Sequence, residues 1–306
     1  MALDATASNY AGKAAGFYIS AALHQANSME FLTMIENIKY KSNIQKMSHE
    51  LIVRNATCNF TESGTLTLTE AVLEPKNLQV NIDLCKKNLL ESWEAAEMRA
   101  GAGAPPPASF DDYVISYLGE IIANATETSV WKGNSTANGE FVGFVHPTDG
   151  HLVTNTSVID VAKGANFTAD STAAGYIITE LQNLTAAIPS TVYTKDDLYI
   201  YMSPKSYRLY ISAISTLGYV NAYSMNGDYD AVFEGIKLAV CNGMSDNVLV
   251  AAEKSNLFFG TDLLSDQTRI QMLDMSQLDG SDNMRVVARY SAGTQVGIGA
   301  DVVLLS

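Results

Sequence analysis

The chain has 306 residues, 47% of them hydrophobic, and its 19 Lys and Arg against 33 Asp and Glu leave a net charge of -14. That hydrophobic share is typical of a folded protein, and the length is enough for roughly two domains. A surface this acidic repels nucleic-acid phosphate, and the sequence contains no Lys/Arg cluster, which argues against sequence-specific binding of DNA or RNA. No apolar run approaches the ~20 residues that span a bilayer, so no membrane span is predicted.

The amino-terminal third is predicted to contain an arm, short helices and a hairpin. Residues 1–15 are rich in Ala, Ser and Asn and predict a loosely held arm. Residues 17–40 carry apolar side chains at mixed helical spacing, which predicts one broken helix or two short ones. TLTLTEAVL (65–73) and LQVNIDL (78–84) alternate apolar and polar residues, and turn residues between them predict a hairpin. LIVRNATCNF (51–60) would add a third strand.

The clearest predicted element is a long helix that follows the linker RAGAGAPPPASF. Ser109 is placed to cap it, and the amphipathic pattern predicts about five turns over residues 110–128. The burst of Gly, Asn, Ser and Thr in SVWKGNSTANGEFVGF (129–144) predicts where this helix ends. Its apolar stripe consists of Phe110, Tyr113, Val114, Tyr117, Leu118, Ile121, Ile122 and Ala125.

The second half mixes helices and strands, which gives an α+β class. Residues 175–188 predict a helix and LYIYM (198–202) a strand. Ser203 and Pro204 have the residue types of a cap and a first helical position, and they open a helix predicted over PKSYRLYISAI. Strand-like runs follow at 231–240 and 247–252, and the last forty residues are predicted to be strands. One face of the final strand would carry Val296, Ile298, Ala300, Val302 and Leu304.

Two groups of side chains are candidates for a functional site. HPTDGH places His146, Asp149 and His151 close enough in sequence to suggest metal ligands, although Pro and Gly mark the stretch as a loop with solvated side chains. Nucleophile-elbow, phosphate-loop, dinucleotide-binding and C-x-x-C motifs are all absent from the sequence, so catalysis is not supported. The second group consists of tyrosines at strand and helix spacing, which predicts core or subunit-contact residues: Tyr199, Tyr201, Tyr207 and Tyr210.

The absence of a clear signal peptide indicates the compartment. AGFYISAALHQA near the amino terminus is interrupted by polar residues, so the sequence predicts a cytosolic chain. The cysteines Cys58, Cys85 and Cys241 are then expected to stay reduced and buried.

The order of these elements, together with four stretches of sequence, resembles the major capsid proteins of tailed bacteriophages, which have the Hong Kong 97 capsid fold. The helix from Phe110 into VWKGNSTANGEFVGF is similar to the family's spine helix and the glycine-rich turn after it, with Gly133, Gly139 and Gly143 at the glycine positions. The other stretches are TEAVLEPKNLQVNIDL, similar to a strand of the extended loop, YIYMSPKSYRLYISAI, similar to the axial domain, and NLFFGTDLLSDQTRIQMLDM with MRVVARYSAGTQVGIGADVVLL, similar to the last peripheral-domain strands.

The resemblance implies the domain organisation and a structural role. It implies an arm with short helices (1–46), an extended loop (47–92), a peripheral domain (93–145 and 254–306) and an axial domain (146–253). It implies a non-enzymatic protein without cofactor or metal that assembles with itself into the hexamers and pentamers of an icosahedral head. Such a head encloses DNA without reading its sequence, has no membrane, is assembled in the host cytoplasm and forms the virion. Scaffold, portal and decoration proteins are the further partners it implies, and the start at Met1 implies a separate scaffold or none.

The predicted hairpin supplies candidate subunit contacts. A lone hairpin is marginal in water, and the face formed by Leu78, Val80, Ile82 and Leu84 would need cover, which a neighbouring subunit would supply. The full set of predicted contact residues is Leu78, Val80, Ile82, Leu84, Lys76, Arg285 and Arg289.

Three alternatives remain at the level of sequence. An encapsulin-type nanocompartment shell resembles the same fold, and a tail or decoration protein would have the same acidity. An enzyme using a metal held by His146, Asp149 and His151 belongs to a different class. Covalent Lys–Asn crosslinking, known in some relatives, stays open, because Lys76 is predicted at the hairpin tip but no partner Asn is indicated.

Overall fold

The computed structural model describes residues 27–50, 52–56, 58–59, 62–85, 108–165, 167, 175–216, 232–262, 270–277, 280–281 and 283–306. The predicted arm (1–15) and most of the predicted linker lie outside these ranges. No helix in the described ranges is long and apolar enough to cross a bilayer.

The described ranges contain strands throughout and helices mainly in their middle part. The strands are β1 (Thr33–Ile35), β2 (Ser42–His49), β3 (Leu66–Leu73), β4 (Lys76–Cys85), β5 (Ile159–Val161), β6 (Leu198–Met202), β7 (Val232–Phe233), β8 (Ile236–Val240), β9 (Leu249–Glu253), β10 (Leu257–Thr261), β11 (Ile270–Asp274), β12 (Asn283–Val296) and β13 (Val303–Leu305). The helices are α1 (Ala108–Lys132), α2 (His151–Thr154), α3 (Gly175–Ala187), α4 (Ser190–Tyr193) and α5 (Pro204–Thr216). Short 3-10 helices lie at Ser28–Phe31, Lys254–Asn256, Met275–Gln277 and Gly299–Asp301.

Two mixed sheets organise these elements. The first sheet is built on β12, whose 14 residues are long enough to pair with β10 and β11 along one edge and with β4 along the other. β1 adds to it in parallel beside β10. The second sheet has the order β5-β13-β9-β6-β8-β7, and α3 and α5 pack against it through a shared core. β2 and β3 pair only with each other among the described strands and form a separate ribbon.

The carboxyl end of α1 lies where the two sheets meet. Trp131 is fully buried, and its ring centroid lies 5.5 Å from that of Phe144 and 5.5 Å from that of Tyr201. Tyr201 belongs to the second sheet, whereas Phe259 and Val296 bring the first sheet into the same cluster. Burying large aromatic side chains is a main source of core stability, so the end of α1 joins the sheets.

Several predicted elements are confirmed. α1 covers the predicted 110–128 and is longer at both ends, and α3 and β6 match their predicted spans. The Ser203 hydroxyl accepts the Ser206 N–H at 3.2 Å, which is the predicted cap, and Pro204 opens α5. Tyr201 and Tyr210 are buried, and the other two predicted tyrosines pack against the two cores.

The predicted hairpin of 65–84 is wrong in its pairing. β3 pairs with β2, in a register that sets Leu68 opposite Met47, and β4 pairs over its whole length with β12. Residues 52–56 and 58–59, within the predicted third strand, are not in a strand. Alternation of apolar and polar residues indicates a strand but not the strand with which it pairs. β4 pairs with the long β12 at ten positions instead of with β3.

Three smaller predictions are also wrong. Residues 28–38 form a 3-10 helix and strand β1 rather than an α-helix, because Thr33–Ile35 finds an edge on β10. Cys241 is buried as predicted, whereas Cys58 and Cys85 are exposed free thiols. The predicted terminal strand breaks after Val296, and Ile298 is exposed rather than on a shared apolar face.

Candidate functional site: the exposed ribbon and the glycine-rich turn

The ribbon, β2 with β3, exposes four large apolar side chains on one face, which they share with Glu70 and Gln45. Side chains alternate across a strand, and directly opposed residues share a face. Leu66, Leu68 and Val72 therefore lie on the same side as Met47, which opposes Leu68. Their exposed fractions are 61%, 55%, 42% and 64%. We call these four side chains the outer face of the ribbon. Four large apolar side chains on one exposed face make this face a candidate interaction site.

The loop at the far end of the ribbon continues this apolar character. Ile52 and Val53 are exposed, Val53 to 82%. The Ser63 hydroxyl donates to the Ile52 carbonyl at 2.6 Å, which ties the two sides of the loop together. Arg54 lies beside them and donates to the Glu62 carbonyl at 3.3 Å. The end of the ribbon thus presents apolar side chains next to one cation.

The near end of the ribbon is anchored to the body of the chain. Leu73 is fully buried, and Gln295 of β12 donates to the Val72 carbonyl at 2.6 Å. An ion pair of 2.9 Å joins Lys41 to Glu74 across the base, and this pairing raises the pKa of the exposed Lys41. The ribbon is therefore fixed at its base, while its outer face and far end have no cover among the described residues.

The glycine-rich turn, residues 133–143, folds back along the last turn of α1. The final carbonyls of a helix have no partner within the helix. Here the Phe144 N–H donates to the Val130 carbonyl at 2.9 Å and the Val145 N–H to the Trp131 carbonyl at 2.9 Å. The Gly143 N–H donates to the Gly133 carbonyl at 3.0 Å. The helix ends at Lys132 because the returning chain takes over these carbonyls.

The predicted glycine positions each have a backbone reason. A Cβ on Gly133 would lie 2.0 Å from the Phe141 carbonyl oxygen, and one on Gly143 would lie 2.6 Å from the Ser129 carbonyl oxygen. Gly139 has φ of +82°, in the left-handed region that side chains disfavour. The close approach of two backbones at this turn therefore requires glycine.

Polar contacts connect the glycine-rich turn to the ribbon base. The Lys76 ammonium donates to the Ser135 carbonyl at 3.4 Å and the Ala137 carbonyl at 3.3 Å. Asp149 accepts the Ser135 N–H at 2.6 Å on the other side of the turn. Hydrogen bonds from Ser135, with the nearby His146, hold the pKa of Asp149 below its usual value. The turn is thus held between the ribbon base and the α2 region.

The predicted subunit-contact residues divide into two groups. Leu78 and Leu84 are buried within their own chain, and Ile82 packs beside Leu84 against Leu118 of α1. The expectation that this face is left bare is therefore wrong for Leu78 and Leu84, because Leu84 packs against Leu118 of α1 and Leu78 lies in the core that contains Trp131. Val80 is half-buried in the same strand. Lys76, Arg285 and Arg289 are exposed, and for them the subunit-contact assignment stays a prediction.

The outer face of the ribbon was missed at the level of sequence. TLTLTEAVL displays the alternation that places Leu66 and Leu68 together, but its polar side is equally regular, so the pattern does not say which face is covered. SNIQKMSH in β2 shows no apolar alternation, so nothing predicted Met47 as their partner.

The structure does not bring His146, Asp149 and His151 together as a metal site. The His146 ring nitrogen Nδ1 contacts an Asp149 carboxylate oxygen, whereas His151 lies at the start of α2 with its ring near Thr294. Across the described ranges, no three His, Cys, Asp or Glu side chains are placed to share a metal ion. The pair of His146 and Asp149 instead supports the glycine-rich turn through Ser135.

His151 lines a pocket of about 530 Å³ together with Glu74, Lys76, Phe141 and Thr294. Burial lowers the pKa of His151, and the opposing effects of the Asp149 charge and a Thr294 backbone hydrogen bond do not cancel it. The folded state therefore favours the neutral imidazole.

We expect this histidine to weaken the fold as the pH falls. Its pKa is lower in the folded than in the unfolded chain, so above about pH 6.5 both states are neutral and the effect vanishes. Below that value the unfolded chain takes up the proton first, and stability falls by up to about 1.4 kcal/mol per pH unit until the folded pKa is passed. Urea unfolding midpoints at pH 7.5 and 5.5 measure the loss.

Replacing His151 by Gln should reduce that loss. The exposed His49, replaced by Gln in the same way, is the matched control and should leave the pH dependence unchanged. Equal pH dependence in the parent and the His151→Gln variant would contradict the assignment.

Comparison with solved structures identifies the architecture. The chain is similar to the capsid of a native GTA particle, with a TM-score of 0.64 and 12% identity over 95% of this chain and 92% of that one. It is similar to the capsid of Myoviridae phage XM1, with a TM-score of 0.61 and 12% identity over 95% and 94%. It is also similar to the structure from Gordonia phage Cozz, with a TM-score of 0.57 and 10% identity over 95% of this chain and 89% of that one. The chain has the Hong Kong 97-type capsid fold.

Comparison of sequences adds no relative to these structures. No protein-family profile matches the chain, and no curated protein matches it. The Hong Kong 97-type architecture found by comparison of structures is the one that the resemblance implied. The predicted fold class is thereby confirmed.

Proposed function

We propose that this chain is the major capsid protein of a tailed double-stranded DNA bacteriophage and assembles with itself into an icosahedral head. The observation that carries the proposal is the likeness to phage capsids over 95% of the chain, with both chains covered almost end to end. The same likeness supports a structural rather than an enzymatic role.

The proposed domain division follows the sheets and moves several of the predicted bounds: β1, predicted in the arm region, and β4, predicted in the extended loop, both belong to the first sheet. The first sheet with α1 is the peripheral domain, and the second sheet with α3 and α5 is the axial domain. The extended loop starts at Ser42 rather than at residue 47, because β2 is one continuous strand from that residue. Val303–Leu305 joins the axial domain, since β13 pairs with β5 and β9 of the second sheet.

The ribbon is the proposed contact between subunits. Its outer face holds Met47, Leu66, Leu68 and Val72 in water on a single chain, and a second copy that covers them removes apolar surface from solvent. A contact made by one surface of a copy with a different surface of the next is heterologous, and such contacts form a ring when the rotation from each copy to the next closes. Rings of this kind are the hexamers and pentamers of a head.

The charge of the chain suits a container for DNA. A net charge of -14 on each copy gives a wall without strong affinity for phosphate, so packed DNA is enclosed without being bound in place. This is a property of the whole surface, and it requires no sequence-specific contact to the genome. Scaffold, portal and decoration proteins are the further partners that the proposal implies, with assembly in the host cytoplasm.

Electron microscopy of the purified, assembled protein tests the proposal. We expect closed particles of one size with icosahedral symmetry, built from six-fold and five-fold rings of this chain. A discrete monomer or dimer as the final state, at every protein and salt concentration tried, would refute the role. Particles that carry cargo protein and no DNA after expression in infected cells would instead favour an encapsulin-type compartment.

A further inference from the structure

An exposed Asn–Gly pair lies in the glycine-rich turn. Asn138 and Gly139 are both exposed and both lie in a turn. A Cβ on Gly139 would meet nothing within 4 Å, so no neighbouring group packs against this part of the backbone. Among the described residues, neither the Asn138 side chain nor the Gly139 N–H has a hydrogen-bond partner. The peptide group that joins the two residues is therefore open to water and free to rotate.

This pair of residue types permits a reaction of the chain with itself. The Gly139 nitrogen, after losing its proton to water, can add to the side-chain carbonyl carbon of Asn138. The new C–N bond closes a succinimide ring, and the Cγ–Nδ2 bond of Asn138 breaks with release of ammonia. Water then opens the ring at either carbonyl, which leaves aspartate or isoaspartate at position 138. Glycine favours the attack because it has no Cβ beside the nitrogen and rotates freely.

A second Asn–Gly pair, Asn242–Gly243, lies in the opposite environment. Gly243 is buried, and its N–H donates to the Glu127 carboxylate at 3.2 Å. The same buried carboxylate accepts the Ser28 N–H at 3.2 Å. A Cβ on Gly243 would lie 2.1 Å from the Glu127 carbonyl oxygen, and the Asn242 N–H donates to the Asn27 side chain at 3.2 Å. The nitrogen that would attack is thus hydrogen-bonded, and its backbone has no room to rotate.

We propose that Asn138 is a modification site, at which the glycine-rich turn deamidates spontaneously through a succinimide, while the fold protects the chemically equivalent Asn242. The inference rests on the geometry of the single chain and does not depend on the proposed shell role.

The modification changes the contact between the glycine-rich turn and the ribbon base. The Lys76 ammonium donates to the Ala137 carbonyl at 3.3 Å, one residue before Asn138. A carboxylate at position 138 brings an opposite charge close to that ammonium and attracts it. Isoaspartate also lengthens the backbone path of a turn that is closed by the hydrogen bond of 3.0 Å from the Gly143 N–H to the Gly133 carbonyl. Ageing of the chain therefore acts first on this turn.

The experiment compares the two pairs in the folded and the unfolded chain. The purified, unassembled full chain is incubated at mildly alkaline pH, with and without guanidinium chloride, and the peptides are followed by mass spectrometry. We expect Asn138 to deamidate at about the same rate in both states, and Asn242 to be slowed on the order of tenfold or more by folding, because its reaction requires local opening. The unfolded chain corrects for the different neighbours of the two pairs. Digestion in heavy-oxygen water marks any deamidation that occurs during handling.

Two variants assign the product to its residue. Asn138→Gln should abolish the product, because a glutamine side chain would have to close a larger ring. Asn134→Gln is the matched control in the same turn and should leave the rate unchanged. The residue after Asn134 is Ser135, whose N–H already donates to Asp149 at 2.6 Å. A third Asn–Gly pair, Asn226–Gly227, lies outside the described residues and is measured as a separate peptide.

Three results would overturn the proposal. One is that folding slows deamidation of Asn138 as strongly as that of Asn242. Another is a product at position 138 that contains aspartate but no isoaspartate, since only the ring gives both. The last is a product that persists in Asn138→Gln. Because the chain is studied unassembled, a failure to form particles would leave each of these results readable.

Discussion

Replacing Gly133 by Ala should destabilise the chain by about 3 kcal/mol, because the new methyl group meets backbone rather than a side chain that could move. Its Cβ would lie 2.0 Å from the Phe141 carbonyl oxygen and 2.5 Å from the Ser129 carbonyl oxygen. Moving these backbone segments apart breaks the hydrogen bond from the Gly143 N–H to the Gly133 carbonyl. Urea unfolding of the soluble variant, or its loss to the insoluble fraction, measures the effect.

Gly119 provides a matched control on the same helix. A Cβ there meets nothing within 4 Å, and Ala is the better helix former. Gly119→Ala should therefore raise stability by up to about 1 kcal/mol. If Gly133→Ala matched the parent in stability, the tight return of the chain at the end of α1 would be wrong.

Replacing Leu68 by Glu should abolish assembly while leaving the single chain folded. Leu68 is 55% exposed in the chain, so the new carboxylate remains in water before assembly. If a neighbouring copy covers the outer face, the new carboxylate loses its water beside Met47 and two positions from Glu70, at a cost of about 3 kcal/mol for each contact. That cost corresponds to an affinity between subunits that is roughly a hundredfold lower at each contact, and every subunit makes such a contact. Sedimentation of assembled against unassembled protein measures it.

The neighbouring Thr69→Glu variant shows whether the outer face matters or only the charge. Thr69 is exposed on the opposite face of the ribbon, opposite Lys46, so a Glu there gains a cross-strand partner of opposite charge. It should assemble as the parent does. Equal assembly of both variants would show that the outer face is not part of the proposed contact. The circular dichroism spectra of both variants must match that of the parent, so that a loss of assembly is not a loss of folding.

The sequence predicted the helices more accurately than the pairing of the strands. α1 and α5 carry their own signals, since periodicity and caps such as Ser203 act within a few residues. The pairing of β4 with β12 joins residues about two hundred positions apart, and no local pattern encodes such a choice. The error had a consequence for the site, because the buried Leu78 and Leu84 were predicted as the face that needs cover. The exposed face turned out to lie on the ribbon.

The buried hydrogen bonds of Glu127 were invisible in sequence for a similar reason. Ser28, Glu127 and Gly243 have ordinary residue types in unremarkable surroundings, and only the fold brings them together. The glycine-rich turn was the opposite case. Gly133, Gly139 and Gly143 stood out by composition, and the close backbone approach explains why the composition was needed.

The anchoring of the ribbon at one end makes it a lever. β2 is eight residues long, so at ~3.3 Å per residue it reaches roughly 26 Å from its base. A rotation of about 5° at that base would displace the far end by roughly 2 Å. In the proposed shell, such a displacement would let identical copies meet neighbours at slightly different angles without refolding, which a closed surface with both flat and curved regions requires.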